Sequence, residues 1–382
     1  MAPSLAGQRT TEARNAAPVH GAAWILRTGL IAALVAVTLA ASRGAPAANF
    51  SAEGAVDFPA FRLPQSELVS AEALQAHARA SSPGKTSSSG DCQPMFGAIQ
   101  PEEALGMRRC YDSGLPAAIT HLEAMFPTNN VARTIGGVHT EVITPRKGVA
   151  AQNQHRVLIN LHGGGFGFGA RLGGEIESIP VSVVSGIRVI SVDYRLAPEA
   201  SFPAASEDVA AVYQALLKEY PAKNIGIYGC SAGGWLTAQS IAWFQKQGLP
   251  MPGAVAMECA GAMYWYSGDS GAFWNFRGPG KTPRMTEITY LDHANPNDPL
   301  VQPVKDLGIL AKFPPSLLIS STRDLALSSV AYTHSLLVKL GVEAELHVWA
   351  DLPHDFFSDP DLPESRDVYD VVSRFFDRHL GR

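Results

Sequence analysis

Short runs of consecutive apolar residues recur from residue 157 onward, each bounded by glycine, proline or polar turn residues. Runs of this length, without the spacing of an amphipathic helix, are typical of β-strands that are buried on both faces. The pattern predicts strands at residues 157–161, 189–192, 225–228, 254–257, 317–319 and 346–349.

Segments with helical character lie between and after these strands. Ser206 is a candidate N-cap with acidic residues in the following turn, and a second helix is predicted for residues 231–245. The segment 367–380 places its apolar residues on one helical face, at Val368, Val371, Val372, Phe375 and Phe376. The alternation predicts an α/β fold, with a mostly parallel sheet flanked by helices on both sides.

Two segments depart from this alternation. Residues 261–306 contain glycine, proline and aromatic residues without a clear period, over a length that is uncommon for a connection and usually functional. Residues 101–126 predict short helices with apolar faces, because Gly114 and Pro116 interrupt the helical pattern.

The amino-terminal part of the chain has the composition of an export segment. Three arginines at positions 9, 14 and 27 precede an uncharged apolar run at 28–41, and small residues follow at 45–47. This run is shorter than the roughly 18–20 residues of a spanning helix. We therefore predict a signal peptide in residues 1–47 that is cleaved before Ala48, with a retained membrane anchor as the alternative. Residues 48–100 would then be a leader that includes a Ser- and Gly-rich linker at 81–90.

Export to the periplasm or the medium would place the four cysteines in an oxidising compartment. Cys92 and Cys110 could form a disulfide there, and two free thiols are the alternative. Cys230 and Cys259 each end a predicted buried strand, where cysteine commonly serves as a small apolar residue.

The charge balance limits the classes of partner. A formal net charge of −5 provides no broad basic surface for nucleic acid. The 11 histidines form no His-Glu-x-x-His pattern and the cysteines no Cys-x-x-Cys pair, so we expect no metal. We also expect no cofactor, and no stable membrane partner unless the signal peptide is retained. A homodimer is compatible with the sequence.

The segment Gly229-Cys230-Ser231-Ala232-Gly233 follows a predicted strand and opens a predicted helix. This is the context of the nucleophile elbow Gly-x-Ser-x-Gly, in which glycines allow a strained turn and close passage of the neighbouring chain. The motif predicts Ser231 as a nucleophile. The alternative is a Gly-rich turn with an inactive serine.

A second glycine-rich segment, His162-Gly163-Gly164-Gly165, follows the strand at 157–161. Its unhindered amides can face an oxygen that becomes negative during acyl transfer. We predict an oxyanion hole formed by the amides of Gly163, Gly164 and Ala232.

A serine nucleophile needs a histidine to accept its proton and a carboxylate to orient that histidine. In the fold that carries this elbow, the acid and then the histidine follow the serine, each after a strand. Asp324 and His354 occupy these positions. Asp351 and Asp355 are weaker candidates for the acid, because they lie too close to His354 in sequence to support its ring easily.

The loop after residue 161 also fits a different motif. Gly165-Phe166-Gly167 with Ala170 matches the dinucleotide-binding fingerprint, and Asp193 ends a later strand. A dehydrogenase is therefore a rival hypothesis, but it would leave the serine elbow without a role.

Taken together, these motifs resemble the hormone-sensitive lipase family of bacterial esterases and lactone hydrolases, in the family's order along most of residues 150–382. The matching residues are His162-Gly163-Gly164-Gly165-Phe166, Asp193-Tyr194-Arg195-Leu196-Ala197-Pro198-Glu199, the Ser231 elbow, Asp298-Pro299-Leu300, Asp324 and Pro353-His354. The resemblance implies an eight-stranded α/β-hydrolase domain at 101–382 with a helical cap near residues 101–130 and 261–306. Two positions differ from the family: Cys230 stands where aspartate is usual, and Asp355 where glycine is common.

The expected function is that of a serine carboxylesterase acting on small to medium acyl esters through an acyl-enzyme. A lactone hydrolase of the monoterpene lactone type is the alternative within this class, and a non-catalytic ligand-binding protein on the same fold is the alternative outside it. Aromatic residues of the second cap segment could line the substrate pocket or simply pack together. They are Tyr264, Trp265, Tyr266, Trp274 and Phe276.

Overall fold

The computed structural model describes residues 49–58, 62–80, 101–274 and 282–381. The chain divides into two compact units, Met1–Pro64 and Gln65–Arg382. In the first unit, strands β1 (Asn49–Phe50) and β2 (Val56–Asp57) pair antiparallel. The predicted signal peptide at 1–47 and the linker at 81–90 lie outside the described residues, as does Cys92.

The second unit contains an eight-stranded sheet with the order β10-β9-β8-β7-β5-β6-β4-β3. Strands β5 to β10 are parallel, whereas β4 is antiparallel to both of its neighbours. The strands are β3 (Thr128–Ile135), β4 (Val138–Pro145), β5 (Val157–Leu161), β6 (Arg188–Val192), β7 (Ile225–Cys230), β8 (Ala254–Glu258), β9 (Ser316–Arg323) and β10 (Ala344–Pro353).

The six apolar runs of the sequence coincide with β5 to β10, and this confirms the predicted α/β fold. Strands β5, β7 and β8 are buried at every position, as expected for parallel strands covered by helices on both faces. The β3–β4 hairpin was not predicted. Most residues of β3 are exposed, so it lacks a continuous apolar run.

The helices of the second unit lie before, between and after the strands. They are α1 (Ala71–Ala80), α2 (Pro101–Met125), α3 (Leu172–Ser185), α4 (Ala204–Leu216), α5 (Ala232–Gln247), α6 (Gly268–Trp274), α7 (Leu307–Leu310), α8 (Leu327–Lys339) and α9 (Pro363–His379). Short 3-10 helices lie at Ala151–Asn153, Ala222–Asn224, Met285–Glu287, Thr289–Leu291, Pro303–Lys305 and Phe356–Ser358.

Helix α2 differs from the prediction of short helices. It runs through Gly114 and Pro116 as one helix of 25 residues. Its inner face is buried at Leu115, Ile119 and Leu122, so tertiary packing outweighs the local cost of proline. Ser206 also differs from its predicted role, because α4 begins at Ala204 and places Ser206 inside the helix.

Two apolar clusters cover the two faces of the sheet. One includes Trp235 and Phe244 of α5 with residues of α4 and α8, and the other includes Phe375 and Phe376 of α9 with residues of α3. Helices on both faces hold the strands in place, so the loops at the strand ends start from rigid supports.

The compact body begins earlier than the predicted boundary at residue 101. The Ser66 amide donates to Asp351 Oδ2 at 2.9 Å, and the Ser70 amide donates to Glu364 Oε1 at 2.6 Å. Residues 65–80 are therefore part of the domain.

Cys110 is disulfide-bonded. Within the described ranges, no helix has both the length and the apolar character needed to cross a membrane.

Candidate active site

The candidate residues meet at one edge of the sheet. The glycine-rich loop follows β5, Ser231 follows β7, Asp324 follows β9 and His354 follows β10. Because these strands are parallel, their carboxyl ends lie at the same edge, which is where open α/β sheets bind ligands.

Ser231 has a strained backbone conformation, with φ 58° and ψ −118°, between the end of β7 and the start of α5. Its amide donates to Glu258 O at 2.8 Å. A Cβ on Gly229 would lie 2.1 Å from Leu161 O, and one on Gly233 would lie 1.6 Å from the same atom. Both glycines are therefore required by the close passage of the β5 backbone, and the turn projects Ser231 into the cavity described below.

A chain of hydrogen bonds joins three of the predicted residues. Ser231 Oγ lies 2.9 Å from His354 Nε2, and His354 Nδ1 lies 2.6 Å from Asp324 Oδ1. This arrangement suits proton transfer from the serine hydroxyl to the imidazole, with the carboxylate fixing the ring orientation.

Asp324 is held by further donors. Its Oδ2 accepts from Ser320 Oγ at 2.8 Å, and its Oδ1 accepts from the Ala326 amide at 2.8 Å. The carboxylate is 1% exposed, so these bonds replace the water that it lacks. The alternative acid Asp351 pairs instead with Arg323.

The surroundings of His354 favour its protonated form. Burial lowers the pKa of the imidazole, but the charge and hydrogen bond of Asp324, followed by the charge of Asp355, raise it above its ordinary value overall. The imidazole can therefore hold the proton taken from a serine hydroxyl.

The glycine-rich loop differs in one respect from its prediction. The Gly163 amide donates to Glu177 Oε1 at 2.6 Å, so in this structure it is already engaged, whereas the sequence predicted a free oxyanion donor. Glu177 lies on α3 and also accepts from Asn160 Nδ2 at 2.9 Å. The amides of Gly164 and Gly165 donate to no acceptor among the described residues.

Gly164 has φ +105°, and a Cβ there would lie 2.2 Å from Phe168 O. This position needs glycine for both conformation and space. The loop is further supported by His162, whose ring stacks on Tyr194 with centroids 4.2 Å apart, and by Tyr194 Oη, which donates to His162 O at 2.6 Å.

The loops after β5, β7, β9 and β10 border a partly open cavity of about 240 Å³. Of the predicted pocket residues, Trp265 and Tyr266 line it. Tyr264 is buried and does not line it, Trp274 packs beside Arg323, and Phe276 lies outside the described residues. The cavity is lined by Tyr111, Gly163, Gly164, Gly165, Phe168, Glu177, Ser231, Trp265, Tyr266, Ile288, Leu325, His354 and Asp355.

Several of these lining residues carry no signal in the sequence. Tyr111 comes from α2, where it contacts Phe168 with ring centroids 4.6 Å apart, and Glu177 comes from α3. Neither lies in a motif. Their positions depend on how two helices pack against the loops, which no local pattern reports.

Acidic groups are concentrated beneath the elbow. Burial raises the pKa of Glu258 to about 8, with the charge of Asp355 as a further cause. Burial also raises the pKa of Asp355 to about 6 and that of Glu177 well above its usual range. These carboxyls therefore hold protons at higher pH than free carboxylic acids do.

Residues that suggested other functions have structural partners. Asp193, the candidate ribose ligand, accepts from the Arg171 amide at 2.7 Å and contacts His139 Nδ1 at 2.5 Å. Among the described residues, three groups of side chains each hold their potential metal-ligating atoms within 4.8 Å of one another. They are His139, Glu141 and Asp193; Cys230, Cys259 and Asp355; and Cys259, Asp324 and His354. Asp193 therefore has hydrogen-bond partners within the protein.

Comparisons with known proteins agree with this architecture. A family model described as alpha/beta hydrolase fold matches residues 158–358, which is more than half of the chain. A protein named acetyl-hydrolase from Streptomyces hygroscopicus is 27% identical over 257 residues, covering 65% of this chain and 82% of that protein.

Solved structures give the same result. The crystal structure of esterase E25 is similar with a TM-score of 0.75 and 28% identity, covering 85% of this chain and 99% of that one. An esterase from the bacterial hormone-sensitive lipase family has a TM-score of 0.64 and 27% identity, covering 74% of this chain and 94% of that one. The chain therefore belongs to the α/β-hydrolase family and is of the hormone-sensitive-lipase type.

Proposed function

We propose that this chain is a serine carboxylesterase that hydrolyses esters with small to medium acyl groups. The observation that carries the proposal is the Ser231–His354–Asp324 chain of hydrogen bonds at the wall of a partly open cavity. The named activities of the relatives, acetyl-hydrolase and esterase, support the same class of substrate.

In the proposed reaction, His354 Nε2 accepts the proton of Ser231 while Oγ attacks the ester carbonyl carbon. The imidazolium then gives this proton to the leaving alcohol, and an acyl-enzyme remains on Ser231. Water, deprotonated by His354, attacks the acyl-enzyme, releases the acid and restores the serine.

The negative oxygen of the tetrahedral intermediate needs amide donors. We assign this role to Gly164, Gly165 and Ala232, in place of the engaged Gly163 amide. Gly164 and Gly165 line the cavity beside Ser231, and Ala232 opens α5, where the positive end of the helix dipole adds to the stabilisation. Each donor of this kind contributes about 3 kcal/mol to the transition state.

The size and lining of the cavity support the proposed substrate range. Its volume of about 240 Å³ is small, and its walls include Trp265, Tyr266 and Ile288. Apolar walls of this kind bind the hydrocarbon part of an ester.

The proposal is tested by comparing wild type with Ser231→Ala on p-nitrophenyl esters of increasing chain length and on lactones. We expect the substitution to abolish hydrolysis of all of them, with short and medium esters preferred by the wild type. Ser335→Ala, which changes an exposed serine on α8, is the matched control. Equal rates for wild type and Ser231→Ala would reject the assignment, and the absence of any hydrolysis by the wild type would favour a binding protein.

We also propose that the protein is exported. The amino-terminal pattern and the disulfide-bonded state of Cys110 support an oxidising compartment. Amino-terminal sequencing of the exported protein should find Ala48 first, and a retained amino terminus would indicate an anchor.

A further inference from the structure

Ser231 and His354 come from strands that are not neighbours. Strands β7 and β10 are separated by β8 and β9. His354 begins the loop that follows β10, and its Nε2 lies 2.9 Å from Ser231 Oγ, so this loop meets the elbow across the ends of β8 and β9. The relative position of this loop and the elbow matters greatly, because a displacement of about 1 Å can cost roughly 10²-fold in rate.

The residues beside the catalytic pair make a second contact between the same two segments. Cys230 precedes the nucleophile and Asp355 follows the histidine, and Cys230 Sγ donates to Asp355 Oδ1 at 3.5 Å. Adjacent residues of the elbow thus contact adjacent residues of the loop. Two neighbouring contacts fix the rotation of the loop as well as its distance from the elbow.

The chemistry of the two side chains suits this contact. Cys230 is a free cysteine that is 1% exposed, and its burial raises the pKa of the thiol well above the usual range, so the thiol keeps the hydrogen that it donates. Cys259 lies beside it, with the ligand-type atoms of Cys230, Cys259 and Asp355 all within 4.8 Å of one another. The Asp355 carboxyl borders the cavity, whereas the Cys230 thiol does not.

We propose that Asp355 is a positioning residue, which accepts the Cys230 thiol hydrogen and thereby holds the loop of His354 in register with Ser231. This inference rests on the proposed function and adds a structural role for the two positions at which the chain departs from its family.

The charge of Asp355 acts on the pKa of His354, which can be measured independently of the loss in kcat. Groups that interact with it electrostatically or by hydrogen bonds are Tyr111, Glu177, Cys230, Glu258, Cys259, Asp324, His354 and Tyr369. Among these, His354 is the group that can become positive. An ionised Asp355 raises the pKa of His354, so removing its charge should lower that pKa.

The inference is tested by a double-mutant cycle with Asp355→Ala, Cys230→Ala and the double variant, assayed on a short p-nitrophenyl ester. We expect each single substitution to lower kcat about tenfold with little change in KM, since the contact orients catalytic groups rather than binding the ester. The double variant should be no slower than the slower single variant, because both substitutions remove one contact.

Asp355→Asn keeps an acceptor oxygen and should recover most of kcat. Because the general base must be unprotonated, the acid limb of its kcat/KM profile should lie at lower pH than in wild type. Asp370→Ala, at an exposed position on α9, is the matched control and should change neither quantity.

Three results would overturn the inference. The kcat losses of the two single variants could multiply in the double variant, the effect of the substitutions could be confined to KM, or Asp355→Ala could keep full activity. If Asp355→Ala does not fold, the Asp355→Asn profile decides: an unshifted acid limb together with an unrecovered kcat rejects it. Retained hydrolysis by Ser231→Ala would instead reject the proposed function, so the two failures are distinguishable.

Discussion

Asp324 and Asp355 both lie next to His354, but they differ in burial and in the hydrogen bonds that they accept. Asp324 is buried and accepts hydrogen bonds from His354, Ser320 and the Ala326 amide. Asp355 is half-buried, accepts a weak thiol bond from Cys230, and has a pKa raised to about 6 mainly by burial. The two carboxyls therefore differ in the groups that hold them: Asp324 accepts from three donors, including the ring of His354, whereas Asp355 accepts from the Cys230 thiol.

The largest expected effect comes from replacing Asp324, the carboxylate that accepts more hydrogen bonds. Asp324→Asn should lower kcat about 10⁴-fold, because the amide stabilises the wrong tautomer of His354 and cannot balance the imidazolium. Asp355→Asn is the natural comparison and should lose far less. Steady-state kinetics on a short ester measures both, and similar losses would contradict the distinction between the two aspartates.

A second prediction concerns Glu258, whose carboxyl lies beneath the elbow and, in the described part of the chain, lacks hydrogen-bond partners at one oxygen. Its Oε1 has no hydrogen-bond partner among the described residues, and burial is the first cause that raises its pKa from 4.5 to about 8. The folded state therefore holds a proton that the unfolded chain releases between these pH values. This stabilisation is complete below about pH 4.5 and is lost as the pH rises to 8, by an amount on the order of 4 kcal/mol.

Glu258→Gln removes this titration and should make the fall in unfolding free energy between pH 5 and pH 8 shallower. Urea denaturation at the two pH values measures it. Glu219→Gln changes an exposed carboxyl and should keep the wild-type slope. An unchanged slope in Glu258→Gln would show that the carboxyl is ionised in the folded protein.

The smallest predicted effect concerns the uncharged wall of the site. Trp265 lines the cavity, whereas Trp274 lies outside it beside Arg323. Trp265→Ala should raise the ratio of kcat/KM for an octanoate ester to that for a butyrate ester about tenfold, because it lengthens the apolar pocket. Trp274→Ala should leave this ratio unchanged. The ratio does not depend on the folded fraction, so a loss of stability does not obscure the result.

The sequence was informative where structure follows from local pattern. Buried parallel strands appear as apolar runs, and the elbow glycines appear as a motif because the β5 backbone leaves no room for a Cβ. The order of Ser231, Asp324 and His354 along the chain was enough to select the residues that the structure brings within hydrogen-bond distance.

The parts that sequence could not predict depend on packing between distant segments. The engagement of Gly163 by Glu177 arises because α3 packs beneath the glycine-rich loop. The continuous helix α2 and the β3–β4 hairpin, whose outer strand β3 is mostly exposed, are likewise set by tertiary contacts rather than by local propensity. The contact between Cys230 and Asp355 joins residues 125 positions apart.

The nucleophilic role of Ser231 is tested most directly by covalent labelling. Wild-type protein is incubated with diethyl p-nitrophenyl phosphate, and the modified peptide is located by mass spectrometry. The account predicts one diethylphosphoryl group on Ser231, with loss of esterase activity in proportion to the labelling and release of p-nitrophenolate. A label on another residue, or full esterase activity after Ser231 has been labelled, would contradict it.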